Sequence, residues 1–201
     1  MALNFANNNS LSAITALPAS ISGGGLNLIS TQTASDSSSL SFTSGIGSTY
    51  KEYVFKFINI HPANNSVDFQ FNFSSDSGSN YNVVKTTSVF VAYNRETGAD
   101  NGLVYYDAYH LAQSTNYQTL NHNIGSDNDQ AMTGELRIFD LNSSVFQKHF
   151  TARTLSHQAS DYALDQYVGG YGNTTSSINA VDFKFASGNI QSGIIKLYGI
   201  S

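Results

Sequence analysis

The feature of this sequence that most constrains its fold is an alternation of apolar and polar residues at every second position. The clearest case is segment 67–74, where apolar residues alternate with polar ones: Val67, Phe69, Phe71 and Phe73 against Asp68, Gln70, Asn72 and Ser74. Successive side chains of a β-strand point to opposite faces of the sheet, so this segment would place one face in a core and the other in water. It predicts an amphipathic strand.

A second alternating segment precedes the first. Tyr53, Phe55 and Phe57 alternate with the residues between them, and residues 61–65, which read His-Pro-Ala-Asn-Asn, supply turn formers before the next strand. The two strands are therefore predicted to form an antiparallel hairpin.

Further segments with strand character recur along the chain at intervals typical of β-sandwiches. They are Leu26–Thr33, Ser39–Thr43, Ser88–Tyr93, Tyr117–Ile124, Gly134–Asp140, Val145–Leu155, Tyr167–Tyr171, Ala180–Phe185 and Ile194–Tyr198. About eleven candidate strands are enough for two stacked sheets. The prediction is an all-β fold, an antiparallel, jelly-roll-like β-sandwich. Only Leu103–Gln113 has helical spacing, and a short helix is expected there.

The composition agrees with this fold and limits the surface chemistry. The chain has 13 Phe and 12 Tyr, which favour strands, and only 2 Pro. Charged residues make up 11%, against roughly 25% in an average domain. Neutral hydroxyls and amides must therefore carry solubility, and such groups can bond to a neighbouring protein without the cost of burying ions. A length of 201 residues suits one domain.

The charge and the cysteine content exclude several classes of function. A net charge of -5 and a pI near 5.3, with only nine scattered basic residues, argue against nucleic acid as a partner. The lack of Cys excludes disulfides and thiol catalysis. Residues 1–10 contain no Lys or Arg, and no apolar run approaches the ~20 residues of a transmembrane helix, so neither a secretory signal nor a membrane partner is expected.

The first 25 residues differ from the rest. They contain three consecutive Asn residues, are rich in Ser and Ala, and end in the glycines 23–25, which would act as a flexible joint. Residues 1–25 are therefore interpreted as an extended N-terminal arm, and residues 26–201 as a single β-sandwich domain. A disordered tail is the alternative. If the arm binds a neighbouring subunit, its apolar anchors are Leu3, Phe5, Leu11, Ile14 and Leu17.

No motif in the sequence points to catalysis. The five histidines are scattered, without the spacing of common metal motifs: His61, His110, His122, His149 and His157. Two carboxylates, Glu52 and Asp68, could face each other across the predicted hairpin as a glycosidase pair would. A solvated sheet edge is the commoner reason for such a pair, so the chain is predicted to be no enzyme and to need no cofactor.

Two features leave binding alternatives open. Residues 125–129 concentrate oxygen ligands, with Asp127 and Asp129 at their centre, but they lack the spacing of an EF-hand, and an ordinary polar turn is the favoured interpretation. A set of tyrosines is expected to be exposed and could stack on sugar rings or form a protein interface. It includes Tyr105, Tyr106, Tyr109, Tyr117, Tyr162, Tyr167 and Tyr171.

The carboxy-terminal sequence ASGNIQSGIIKLYGIS (186–201), with INAVDFKF before it, resembles the closing strands of small virion proteins of tailed bacteriophages, especially marine ones. SLSFTSGIGSTYKEYVFKFINIHPA (39–63) and GELRIFDLNSS (134–144) share this resemblance, which covers about residues 26–201. The final pattern of Gly, Ile, Ser and Tyr is its most specific part. Members of that group are structural, tail-fibre or decoration proteins without an assigned active site.

The resemblance implies a virion location, after synthesis in the host cytoplasm, and a structural role. The chain is expected to decorate or cement the capsid, or to belong to the tail, and to attach to other capsid or tail subunits through its arm. A homo-oligomer, with a trimer as the first candidate, would match local particle symmetry. The alternative is a carbohydrate-binding module for host adhesion, in which Tyr105 and Tyr106 would contact a glycan.

Overall fold

The structure, a computed structural model, describes residues 25–200. Nearly all its regular structure is β. The strands are β1 (Leu26–Ser37), β2 (Leu40–Phe42), β3 (Glu52–Pro62), β4 (Val67–Ser74), β5 (Lys85–Arg95), β6 (Asn101–Tyr105), β7 (Gln118–Ile124), β8 (Met132–Phe139), β9 (Lys148–Gln158), β10 (Tyr162–Gly172), β11 (Ala180–Phe185) and β12 (Ile190–Ile200). One turn of 3-10 helix, Asp107–Tyr109, follows β6.

The strands form two antiparallel layers. The large layer has the order β1-β12-β3-β8-β9-β10-β5-β6, and the small layer has the order β7-β4-β11-β2. A single residue pair, Ile124 with Gln158, joins β7 to β9 and so links the two layers. The first described strand, β1, pairs along its length with the last, β12. The predicted antiparallel β-sandwich is confirmed.

The core between the layers is built from aromatic rings. Phe183 of β11 lies at its centre and contacts rings of both layers, with centroid distances of 5.0 Å to Phe55 and 5.3 Å to Phe57 in β3. It also contacts Phe69 in β4 at 6.1 Å. Edge-to-face and offset-stacked ring contacts stabilise a core beyond the area that they bury. The odd-numbered residues of β4 therefore face inward, as their alternation predicts.

The predicted hairpin of segments 53–58 and 67–74 is wrong. Both segments are strands, but β3 pairs with β12 and β8, whereas β4 pairs with β11 and β7. The turn between them crosses from one layer to the other. Phe57 and Phe69 consequently meet edge to face across the core, at 5.5 Å, instead of lying side by side in one sheet.

The predicted helix at Leu103–Gln113 is also wrong. Its first residues belong to β6, which pairs with β5, and only Asp107–Tyr109 adopt a helical turn. The apolar residues of this segment satisfy both a helical and an alternating spacing, and pairing with β5 decides in favour of the strand. Residues 106–117 then cross the outer side of the small layer.

The polar face of β4 does not lie in water as predicted. Asn72 and Ser74 are fully buried, and Asp68 and Gln70 are half-buried. The cover comes from two chain segments, residues 75–84 and 106–117, which contact this face. A polar strand face has thereby become the floor of a groove.

Candidate functional site

The groove lies on the outer face of the small layer. Its floor includes two polar side chains in register across the strands, Thr119 of β7 and Gln70 of β4. Lys184 of β11, the next residue in this row, is not among the residues that line the groove. Within the floor, the Gln70 amide donates to the Thr119 hydroxyl at 3.3 Å. The groove encloses about 510 Å³ and is lined by Asp68, Gln70, Tyr81, Ala108, Tyr109, Leu111, Thr115, Asn116, Tyr117 and Thr119.

Two tyrosines from the crossing segment wall this groove. Tyr109 stacks against His122 at 4.8 Å and against Tyr106 at 5.2 Å. Tyr117 donates its hydroxyl to Asp182 at 2.9 Å, and the Lys184 ammonium lies 4.3 Å from the centre of its ring. Both rings are therefore held by several contacts, so the walls are preorganised.

Asn72 holds the cover in place. Its amide nitrogen donates to the carbonyl of Tyr81 at 2.6 Å and to that of Thr115 at 2.9 Å. Its side-chain oxygen accepts from the backbone N–H of Phe73 and from the Lys85 ammonium. Because Asn72 is fully buried, these bonds form in a low-dielectric environment, where losing one is costly.

Two half-buried or buried carboxylates flank the groove. Burial raises the pKa of Asp68, although hydrogen bonds from the Asn123 backbone and the Tyr109 hydroxyl oppose the shift. Burial likewise raises the pKa of Asp182, opposed by bonds from Ser41 and Tyr117. Burial and the neighbouring carboxylates also raise the pKa of Tyr109 and Tyr117, so these hydroxyls stay protonated and act as donors. The groove is rich in uncharged donors and acceptors.

The two tyrosines expected to bind sugar do not lie side by side. Tyr105 is the last residue of the edge strand β6 and is 62% exposed. Tyr106 is half-buried and stacks on Tyr109 and His122. The structure thus connects Tyr106 to the groove wall and leaves Tyr105 on a separate surface.

That second surface is an apolar band on the outer face of the large layer. In the sheet register Tyr105 lies beside Phe90, which lies beside Tyr167, and Leu103 occupies the next outward position on β6. Leu103 is 72% exposed. The rings of Phe90 and Tyr167 stack in parallel, with their centroids 4.6 Å apart. The guanidinium of Arg153 also lies over the ring of Tyr167. We call Leu103, Tyr105, Phe90 and Tyr167 the apolar band.

The other residues singled out in the sequence are separated. Glu52 bonds to Arg137 at 2.8 Å in the large layer, whereas Asp68 belongs to the small layer, so the expectation that they face each other is wrong. Asp127 and Asp129 lie in the turn between β7 and β8. Within residues 25–200, no three His, Asp or Glu side chains come close enough together to hold a metal ion. The arm residues Leu3, Phe5, Leu11, Ile14 and Leu17 lie outside the described residues.

Comparisons with protein-family models, with curated proteins and with solved structures find no match to this chain. Of the helices in residues 25–200, none has the length and apolar character needed to cross a membrane. The functional argument therefore depends on the two surfaces themselves.

Sequence reasoning identified part of the groove. Tyr109 and Tyr117 were among the tyrosines expected to be exposed, and Asp68 was considered only as half of a carboxylate pair. Gln70, Thr119 and Asn72 carried no signal beyond alternation. The missing information was the path of residues 106–117 over β4, which brings Asn72 and Thr115, 43 residues apart, into contact.

Proposed function

We propose that this chain is a non-enzymatic structural protein of a tailed-phage virion, as a capsid decoration or cement protein or as a tail-associated protein. The observation that carries the proposal is the apolar band on an edge strand, where Leu103 and Tyr105 remain largely exposed. A contiguous exposed apolar patch marks a surface for association. The sequence resemblance supplies the assembly in which that association would occur.

The edge strand strengthens this argument. Among the described strands β6 pairs only with β5, so its other side is a sheet edge with unpaired backbone groups. An extended segment of another subunit can add to such an edge, gaining backbone hydrogen bonds that need little side-chain specificity. The amino-terminal arm is the proposed donor of such a segment, and its alternating Leu3 and Phe5 would match the alternating Leu103 and Tyr105. Each net bond contributes about 0.5–1.5 kcal/mol, which symmetry would multiply.

Complementation of a phage that lacks its own copy of the gene tests the proposal. We expect the full chain to be recovered in purified particles, and a chain lacking residues 1–25 to fold but to be absent from them. Leu103→Asp should also reduce incorporation, whereas Val145→Asp, at a loop residue of equal exposure, should not. Normal incorporation of both the truncated chain and Leu103→Asp would refute the proposal.

A second candidate function is adhesion to a host glycan. It is favoured by the groove, because a polar floor between fixed tyrosine walls suits a hydroxyl-rich ligand. This function is compatible with a place on the virion surface, and it uses a different face of the domain.

A further inference from the structure

We infer that the groove over the small layer is a binding site for an uncharged saccharide. The inference rests on the second candidate function and is independent of the assembly role. It concerns Gln70, Thr119, Asp68, Tyr109 and Tyr117, which the fold brings to one depression. A volume of about 510 Å³ is within the range of small-ligand sites, which is roughly 300–1,000 Å³.

The floor chemistry matches hydroxyl groups. Each sugar hydroxyl donates one hydrogen bond and accepts others, so it needs a partner set that contains both kinds of group. Gln70 offers an amide oxygen that no described side chain occupies, and Thr119 and Asn116 add a hydroxyl and an amide. Gln70 and Thr119 lie in register on neighbouring strands, so these two groups are preorganised for recognition.

Asp68 supplies a strong acceptor. One of its oxygens accepts the backbone N–H of Asn123 at 3.1 Å. A carboxylate has about four acceptor positions, so this bond leaves room for a donor from a ligand. The bond to Asn123 also anchors the carboxylate at the edge of the groove.

The charges around the groove select against anions. No Lys or Arg is among the residues that line it, and Asp68 would repel a phosphate, sulfate or uronate. The nearby Lys184 is positioned over the ring of Tyr117, on which its charge acts. An uncharged sugar fits this environment, and an acidic one does not.

A protein ligand fits the groove less well than a sugar does. Its floor is polar, whereas the apolar band on the other layer leaves Leu103 and Tyr105 largely exposed. The two surfaces therefore differ in the kind of partner that they favour. This separation also lets them be tested one at a time.

The test is a glycan array followed by NMR titration of the full chain. The probes are neutral oligosaccharides of common hexoses and N-acetylhexosamines, with uronate-containing and sulfated versions as the charged set. We expect a neutral probe to bind, to shift the side-chain amide signals of Gln70 and Asn116, and to bind at least about tenfold more weakly to Gln70→Ala. The charged version of the same probe should bind more weakly than the neutral one.

Gln191→Ala is the matched control, because Gln191 is exposed on β12 outside the groove. Its affinity should equal that of the unchanged protein, as should that of Tyr105→Ala. The inference is overturned if no neutral probe binds, if Gln70→Ala binds as well as Gln191→Ala does, or if only Tyr105→Ala loses binding. If Gln70→Ala is incorporated normally into particles, a negative binding result would count against the saccharide site and not against the assembly role.

Discussion

The outer faces of the two layers are both formed by the polar positions of alternating strands, but they differ in charge and in exposure to solvent. On the large layer, Lys56, Glu135 and Arg153 lie in one register row, and Glu135 bonds to both Lys56 and Arg137. On the small layer, the equivalent rows are Thr119, Gln70 and Lys184, and Asn72, Asp182 and Ser41. The first face carries ion pairs near solvent, and the second carries mainly neutral groups under a cover.

The cover explains the difference. Charges on the large layer keep much of their contact with water; the Arg137 side chain, for example, is 38% exposed. Burial alone would raise the pKa of Glu135, but its bonds to Lys56 and Arg137 outweigh burial and lower it. The polar groups of the small layer that lie under residues 106–117 lose contact with water, so each of them needs a hydrogen-bond partner within the protein. Hydrogen bonds in the covered layer should therefore matter more to stability than ion pairs on the open one.

Replacement of Asn72 should give the largest effect. Asn72→Ala removes four hydrogen bonds, two of which join β4 to the cover, and leaves buried partners unsatisfied, so we expect a loss of about 2–4 kcal/mol in the free energy of unfolding. Chemical denaturation measures it. Gln70→Ala, two residues away and half-buried, is the control and should change stability far less. A loss below about 1 kcal/mol for Asn72→Ala would contradict the importance given to the cover.

The second prediction concerns pH and Lys85, the buried cation that bonds to Asn72. Burial lowers the pKa of Lys85 to about 7. Above that pH the folded protein holds the neutral amine while the unfolded chain, with an ordinary pKa near 10.4, keeps the proton. The unfolded state then binds more protons, so stability should rise with pH, by up to about 1.4 kcal/mol per pH unit.

Denaturation at several pH values between about 7.5 and 9.5, below the ordinary pKa of tyrosine, measures that slope. Lys85→Met should lack the contribution, whereas Lys51→Met, at a lysine that is 82% exposed, should keep it. Equal slopes for Lys85→Met and the unchanged protein would show that Lys85 titrates normally.

The smallest effect is expected on the open face. Arg137→Ala removes the bonds to Glu135 and Glu52, and we expect a loss of about 0–1 kcal/mol that shrinks further in about 1 M salt. Unfolding curves at two salt concentrations check it, with Lys51→Ala as the exposed reference. A loss as large as that of Asn72→Ala would remove the contrast between the two faces.

Alternation predicted the strands well because it reports a local property. Segments 67–74 and 180–185 became β4 and β11 with the predicted bounds. Alternation did not predict which strands pair, because the side chains of Tyr53, Phe55 and Phe57 would face the core whether β3 pairs with β4 or packs against it. The same limit explains the wrong helix prediction for Leu103–Gln113. The residues of this segment fit both a helical and an alternating spacing, and long-range pairing with β5 makes its first part a strand.

The groove was harder to predict than the strands. Its tyrosines can be read from the sequence, but their position beside the groove depends on the hydrogen bonds that Asn72 donates to the carbonyls of Tyr81 and Thr115. An asparagine at a polar position of a strand looks solvated until the covering segments are placed. The apolar band was anticipated only through Tyr105 and Tyr167, because an exposed Leu103 cannot be distinguished from a buried one by pattern alone.

The pairing of β1 with β12 affects how the chain matures. Residues 26–37 find their partner in residues 190–200, so the strand next to the arm can be fixed only after nearly the whole sequence has emerged from the ribosome. A nascent or truncated chain that lacks β12 would leave β1 without its pairing partner. The two strands that close this edge of the large layer therefore form late in synthesis, although one of them is made first.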